Sequence, residues 1–214
     1  MTGYAGAFHF YRPAEGSGLR RDPLKAVIAP RPIGWISTLA ADGTANLAPY
    51  SFFNMVCDAP PLVAFSSIGR KDTLRNAEAT GEFTCNLATR DLADPMNVTA
   101  AMHSAGIDEF AAAGLERLPG TAVSCPRVAA SPAALECRLV DVHRLRGHDG
   151  REAGAWLVIG EIVGVHLARM HLVDGLFDTT HAGIIQRAGY ADQYAEAMPA
   201  SFFSMSRPPR IPQD

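Results

Sequence analysis

The chain has 214 residues and a formal charge of −3, from 19 Lys and Arg against 22 Asp and Glu. That length suits one domain with or without extended arms, and is enough to bury a core. The near balance of charge excludes the basic excess of a nucleic-acid binder, and the 48% apolar content is that of a soluble globular protein.

Residues 1–23 carry Gly, Ser, Pro and charge and read as an N-terminal arm. The opening MTGYAGAFHFYRP lacks a basic stretch followed by an apolar run, so it is not read as a signal peptide. No stretch approaches the roughly 18 apolar residues of a membrane span, and the expected compartment is the cytoplasm. Ile33–Leu39 is short, apolar and β-leaning. Asp42-Gly43 signals a hairpin turn, and Ala45–Phe53 resumes extended structure. Ala59-Pro60-Pro61 opens the next strand, Pro61–Ser66. Asp72 or Thr73 is expected to cap a helix over Leu74–Thr80 that Gly81 stops. Glu82–Ala88 reads as a strand, and Asp91–Ala113 as mostly helical with Gly106 breaking it. Gly114–Ala133 reads as loop. Leu135–Leu145 and Ala155–Leu167 are long strands joined by RGHDGREAG, the second apolar enough to be buried on both faces. A short helical stretch is expected near Gln193–Ala197. The domain is expected to span 24–190, with 191–214 a C-terminal arm. Strands dominate and hairpins connect them, which argues for an antiparallel barrel with α additions.

The usual nucleotide signatures are absent. The sequence contains no Gly-x-Gly-x-x-Gly after a strand, no phosphate loop of the Walker type and no Gly-x-Ser-x-Gly elbow. Cys57, Cys85, Cys125 and Cys137 form no Cys-x-x-Cys pair and read as reduced, buried thiols. The histidines show no metal-ligand spacing, so no metal site is expected. Asp108-Glu109 reads as a helix-start charge pair, and Glu161, inside a strand, needs a partner such as Arg138.

Two segments carry chemistry. SSIGRKDTLRN gathers the hydroxyls of Ser66, Ser67 and Thr73 and the cations Arg70 and Lys71 at a helix start. Free N–H groups there favour anions, and Arg and Lys add charge that a phosphate monoester accepts. A solvated, capped turn has the same composition. NLAPYSFFN supplies apolar surface through Pro49 and Phe52-Phe53, and polarity through Ser51 and Asn54, as a flat heteroaromatic ring requires. Core or dimer-interface aromatics would look the same.

The runs RPIGWISTLAADGTANLAPYSFFN, DAPPLVAFSS and RKDTLRNAEATGEFTCNLA occur in this order, followed by IDEFAAAGL, SPAALECRL, VIGEIVGVH and IIQRAGYADQY. Together, from Ala29 to Pro209, they resemble the flavin reductase-like family of FMN-binding split barrels. The resemblance implies a mainly β fold with α additions, a six-stranded antiparallel Greek-key barrel that forms a homodimer with FMN in a groove at the interface. It implies that Ser66, Ser67, Arg70, Lys71 and Thr73 surround the FMN phosphate. Pro49, Tyr50, Ser51, Phe52 and Asn54 run along the ring, and Trp35 sits near the ring or ribityl chain. Asn86, His171 and Phe177 reach the ring edge from the same or the partner subunit. The implied activity is hydride transfer from NADH or NADPH to flavin, with no side chain required as acid or base. The alternatives are a flavoredoxin-like carrier that takes electrons from a protein partner, a split-barrel oxidase, or a barrel that has lost its cofactor.

Overall fold

Successive residues of a strand point to opposite faces, so apolar residues at consecutive positions let one strand serve two cores, and Gly34–Leu39 (β1) does so. Trp35 packs into one buried cluster and Ile36 into the other. The Asp42-Gly43 turn forms as expected: Gly43 takes φ 85°, and the Asp42 carboxylate accepts the Thr44 N–H at 2.9 Å. It returns the chain as β2 (Ala45–Tyr50).

These elements belong to a computed structural model that describes residues 8–101, 106–206 and 208. A one-turn helix α1 (Leu24–Val27) precedes β1. After β2 come β3 (Phe53–Asp58), β4 (Pro61–Ile68), helix α2 (Asp72–Thr80) and β5 (Glu82–Leu87). Helices α3 (Ala93–Val98) and α4 (Glu109–Ala112) and the two-residue strands β6 (Arg117–Leu118) and β7 (Arg127–Val128) follow. Strands β8 (Ala133–Arg146) and β9 (Glu152–Leu167) are the longest. The small hairpins β10 (Leu172–Val173) with β11 (Leu176–Phe177), and β12 (Ile185–Arg187) with β13 (Tyr194–Glu196), complete the set.

The main sheet has seven antiparallel strands in the order β2-β1-β5-β8-β9-β4-β3. Its two edge strands are consecutive in sequence, joined only by Ser51 and Phe52. The sheet therefore has to curl until its edges approach. The curl brings the Tyr50 and Phe65 rings to 4.8 Å, and Phe65 to an edge-on 5.5 Å from Phe83. These rings fill the barrel with Ile36, Val63, Leu74 and Val158. The second cluster, around Trp35, Leu47, Met96 and Phe110, lies on the other face of β1 and β2 and is closed by the helices.

Several expectations change. The sheet has seven strands rather than six because Phe53–Asp58 is a strand of its own, split from β2 by the bend at 51–52. Strand β9 is not buried on both faces: Val163, Val165 and Leu167 are exposed, because they lie on the outward face of the curled sheet. The 91–113 segment forms two short helices, and residues 102–105 between them lie outside the described residues. Gly114–Ala133 contains the β6–β7 ribbon. The stretch near 193–197 is strand β13, since pairing with Ile185–Arg187 overrides its helix-forming composition. Residues 1–7, 207 and 209–214 of the two expected arms lie outside the described residues.

Candidate functional site

The bend between β2 and β3 opens a cavity of about 530 Å³ between the sheet edges, the start of α2, the residues after α3 and the β12–β13 segment. Seven of the residues singled out from the sequence line it: Pro49, Tyr50, Ser51, Phe52, Ser66, Lys71 and Thr73. Phe52 O accepts the Ser66 N–H at 2.8 Å and so joins the bend to β4.

Helix α2 starts without a cap. Neither Asp72 nor Thr73 caps it; the N-cap is Lys71, with no side-chain hydrogen bond to the first turn. Asp72 instead pairs with Arg75, and the Thr73 hydroxyl accepts from Asn46 Nδ2 at 2.8 Å. The first N–H groups of this nine-residue helix thus stand at the cavity wall unclaimed by a side-chain cap. Gly81 ends the helix in the left-handed conformation, as expected.

Tyr50 adds a second unsatisfied donor. It is 7% exposed, and its hydroxyl has no hydrogen-bond partner among the described residues. Burial raises its phenol above the ordinary value, and the nearby Thr73 and Ser67 hydroxyls only temper the rise. The group therefore stays a protonated donor at neutral pH. A buried hydroxyl without a partner costs about 1–3 kcal/mol, and a ligand oxygen in the cavity would remove that cost.

The other seven candidates sit outside the wall. Trp35 is fully buried and donates through Nε1 to Thr99 Oγ1 at 2.9 Å; it meets the cavity only through Thr99, which lines it. Asn86 is buried, donates to Trp35 O at 3.0 Å and accepts the Val128 N–H at 2.8 Å, so it ties three segments together. Ser67 is buried and donates to Gly69 O at 2.9 Å. Arg70 turns to the outer surface, where it pairs with Glu78 and lies 5.8 Å from the Trp156 ring. Asn54 is exposed on β3 and accepts its neighbour's N–H. His171 lines a separate cavity of about 440 Å³ beside His181, and Phe177 stands 6.3 Å from its ring.

The wall also holds residues that sequence reading did not single out for it. Asn46 donates to both Thr38 and Thr73; an Asn within an apolar strand was the available signal. Glu109 is buried and accepts the Leu47 N–H at 3.1 Å, so it anchors β2. Asp108 beside it caps α4 by accepting from Phe110 and Ala111, as its position suggested. Lys25, Arg31, Arg187 and Tyr190 come from distant segments. An antiparallel bridge, Arg31 N to Arg187 O at 2.8 Å and the reverse at 2.9 Å, brings two of them together. Among the described residues no three His, Cys, Asp or Glu form a group that holds a metal.

Residues 28–182 match the family model described as flavin reductase like domain. A protein of Deinococcus radiodurans without an assigned function is 36% identical over 198 residues, 87% of this chain and 84% of its own length. Nitrilotriacetate monooxygenase component B from Bacillus cereus superposes with a TM-score of 0.84 at 29% identity, over 94% of this chain and 100% of that one. Flavoredoxin of Desulfovibrio vulgaris (Miyazaki F) gives 0.72 at 25% identity, over 83% and 91%.

Proposed function

Because the chain belongs to the flavin reductase-like domain family, we propose that it is an FMN-dependent oxidoreductase that draws hydride from NADH or NADPH. The observation that carries this reading is the cavity at the bend between β2 and β3. It pairs the uncapped start of α2 with the unpartnered Tyr50 hydroxyl, inside the matched region. The donor set fits a flavin mononucleotide: cations and free N–H groups for a phosphate, hydroxyls for a polyol, apolar faces for a ring.

FMN, when bound, supplies a ring able to take up hydride and pass electrons on; the protein supplies binding, orientation and electrostatics. Lys71 and the first N–H groups of α2 would hold the phosphate, with the Ser66 hydroxyl as a further donor at the same wall. Asn46 fixes Thr73 so that its hydroxyl faces the cavity. Tyr50 would donate a hydrogen bond to a ligand oxygen and keep its proton. Pro49 and Phe52 would offer apolar surface to the ring. No side chain acts as acid or base.

The same proposal includes a homodimer and a cytoplasmic location. Val163, Val165 and Leu167 form an exposed apolar row at two-residue spacing on β9, and a second copy of the chain would cover it. Among the described residues no helix is long and apolar enough to cross a membrane. A flavoredoxin-like carrier is the second reading, favoured by the similarity to that Desulfovibrio structure.

The test is an absorption spectrum of the purified protein followed by anaerobic titration with NADH and NADPH. A yellow protein bleached by either nucleotide supports the reductase. A yellow protein that neither bleaches is the carrier, and a colourless protein that takes up no added FMN overturns both.

A further inference from the structure

Beyond the start of α2, the cavity has a second cationic wall. Arg31 is only 8% exposed. Its guanidinium donates to Lys25 O at 2.6 Å and to Ile28 O, and its buried Nε has no partner among the described residues. Arg187 is held beside it by the backbone bridge and bonds the Tyr194 hydroxyl and Ala191 O. Lys25 lines the same wall. Every partner of these two arginines is neutral, and among the described residues none of the three cations has a carboxylate within ion-pair distance.

Three gathered cations, one of them nearly dehydrated, repel one another unless an anion joins them. The flavin phosphate of the reading above is assigned to Lys71 and the start of α2, so these three cations are left without it. Aromatic faces stand among the second cations. Phe52 is 43% exposed and its ring centre lies 6.0 Å from the Arg31 guanidinium carbon. Tyr190 lines the wall with the Arg21 guanidinium 5.5 Å from its ring centre. Guanidinium forks beside flat apolar faces suit a ligand that carries both phosphate and a planar base.

We propose that Lys25, Arg31 and Arg187, with the faces of Phe52 and Tyr190, form a second anion subsite that binds a phosphate of the nicotinamide dinucleotide. This rests on the oxidoreductase reading. It assigns donor recognition to cations before β1 and on β12, apart from the Lys71 and α2 groups that hold the flavin phosphate, with the Phe52 face shared between the flavin ring and the dinucleotide. The phosphate is either the pyrophosphate common to NADH and NADPH or the additional phosphate of NADPH.

Equilibrium binding of NAD⁺ and NADP⁺ to the FMN-loaded protein, by calorimetry, tests this without turnover. Lys25→Glu and Arg187→Gln are compared with wild type, and FMN affinity is measured in parallel by fluorescence. We expect dinucleotide affinity to fall about tenfold or more, the worth of a charged contact, while FMN affinity stays within about twofold. A loss confined to NADP⁺ assigns the subsite to its extra phosphate; an equal loss for both assigns it to the pyrophosphate. Arg187 also tethers β13, so the exposed Lys25 keeps the test independent of folding. Unchanged dinucleotide binding in Lys25→Glu, or loss of FMN in its place, overturns the subsite alone. A wild-type protein that binds neither dinucleotide overturns the donor reading with it.

Discussion

Asn46 Nδ2 donates to Thr73 Oγ1 at 2.8 Å, and this one bond fastens strand β2 to the first turn of α2. Both residues are buried, so the bond belongs to the fold as well as to the cavity wall. Thr73→Val keeps the shape and removes the acceptor. It should cost about 1–2 kcal/mol in urea unfolding and weaken FMN binding as well. Lys71 is exposed and has no ion pair among the described residues, so Lys71→Ala should move stability by less than about 0.5 kcal/mol while lowering FMN affinity about tenfold. A Thr73→Val protein as stable as wild type would show that the bond carries no structural weight.

Tyr50→Phe separates ligand binding from folding more sharply. The hydroxyl it removes is buried and makes no well-formed hydrogen bond among the described residues, with only the Thr73 and Ser67 hydroxyls nearby, so the apoprotein loses little. Its melting temperature should stay the same or rise, because a desolvated polar group is gone. FMN affinity should fall about tenfold, for the loss of one ligand hydrogen bond. A destabilised apoprotein with unchanged FMN affinity would mean that the hydroxyl serves the core.

These residues also show what was readable before the structure. Ser66, Lys71 and Thr73 were legible because their chemistry is crowded into one short run at a helix start. The strand–turn–strand alternation of 33–50 was legible because hydrophobic period and turn residues agree. Arg31 and Arg187 meet only through a backbone bridge between distant segments, and spacing along the chain holds no trace of that. Arg70 and Lys71 are adjacent in sequence, yet one turns outward to Glu78 while the other faces the cavity. That choice depends on φ and ψ at the helix entry and on the Trp156 face that receives Arg70. Trp35 on β1 and Asn86 on β5 lie in paired strands buried on both faces, and only the third dimension says which face meets a cavity.

The cysteines give a chemical check on the packing. Cys85, Cys125 and Cys137 are buried, while Cys57 is half-buried on β3. Burial pushes the Cys125 thiol up to about 12 and raises Cys85 as well, so neither presents a thiolate at neutral pH. A disulfide-exchange reagent added to native protein should label one thiol, Cys57, and the remaining three only on unfolding. Cys57→Ser should abolish the native signal. Fast labelling of that variant would mean that the barrel opens readily near β5 or β8.

Acid should act on the fold through Glu136. Its carboxylate is fully buried and accepts from the backbone of Thr121 at 2.7 Å, from Ala122 and Val123, and lies 2.6 Å from His166 Nε2. Burial alone raises such a group, but the His166 contact and the Thr121 and Ala122 N–H groups outweigh it and lower its pKa below the ordinary 4.5. A lowered value in the folded state means that the unfolded chain binds this proton more tightly. The stabilisation is complete above about pH 4.5 and is lost as pH falls through the lower folded value. The melting temperature of wild type should therefore be level near neutrality and drop in acid. Glu136→Gln retains one acceptor but loses the charge, and should cost about 1–3 kcal/mol at neutral pH. Its acid slope should be shallower than that of wild type. Asp42, Asp149 and Asp178 are also lowered and remain in both proteins, so the difference between the two slopes reports Glu136. Parallel curves would show that the loop at 121–123 is held by something other than this carboxylate.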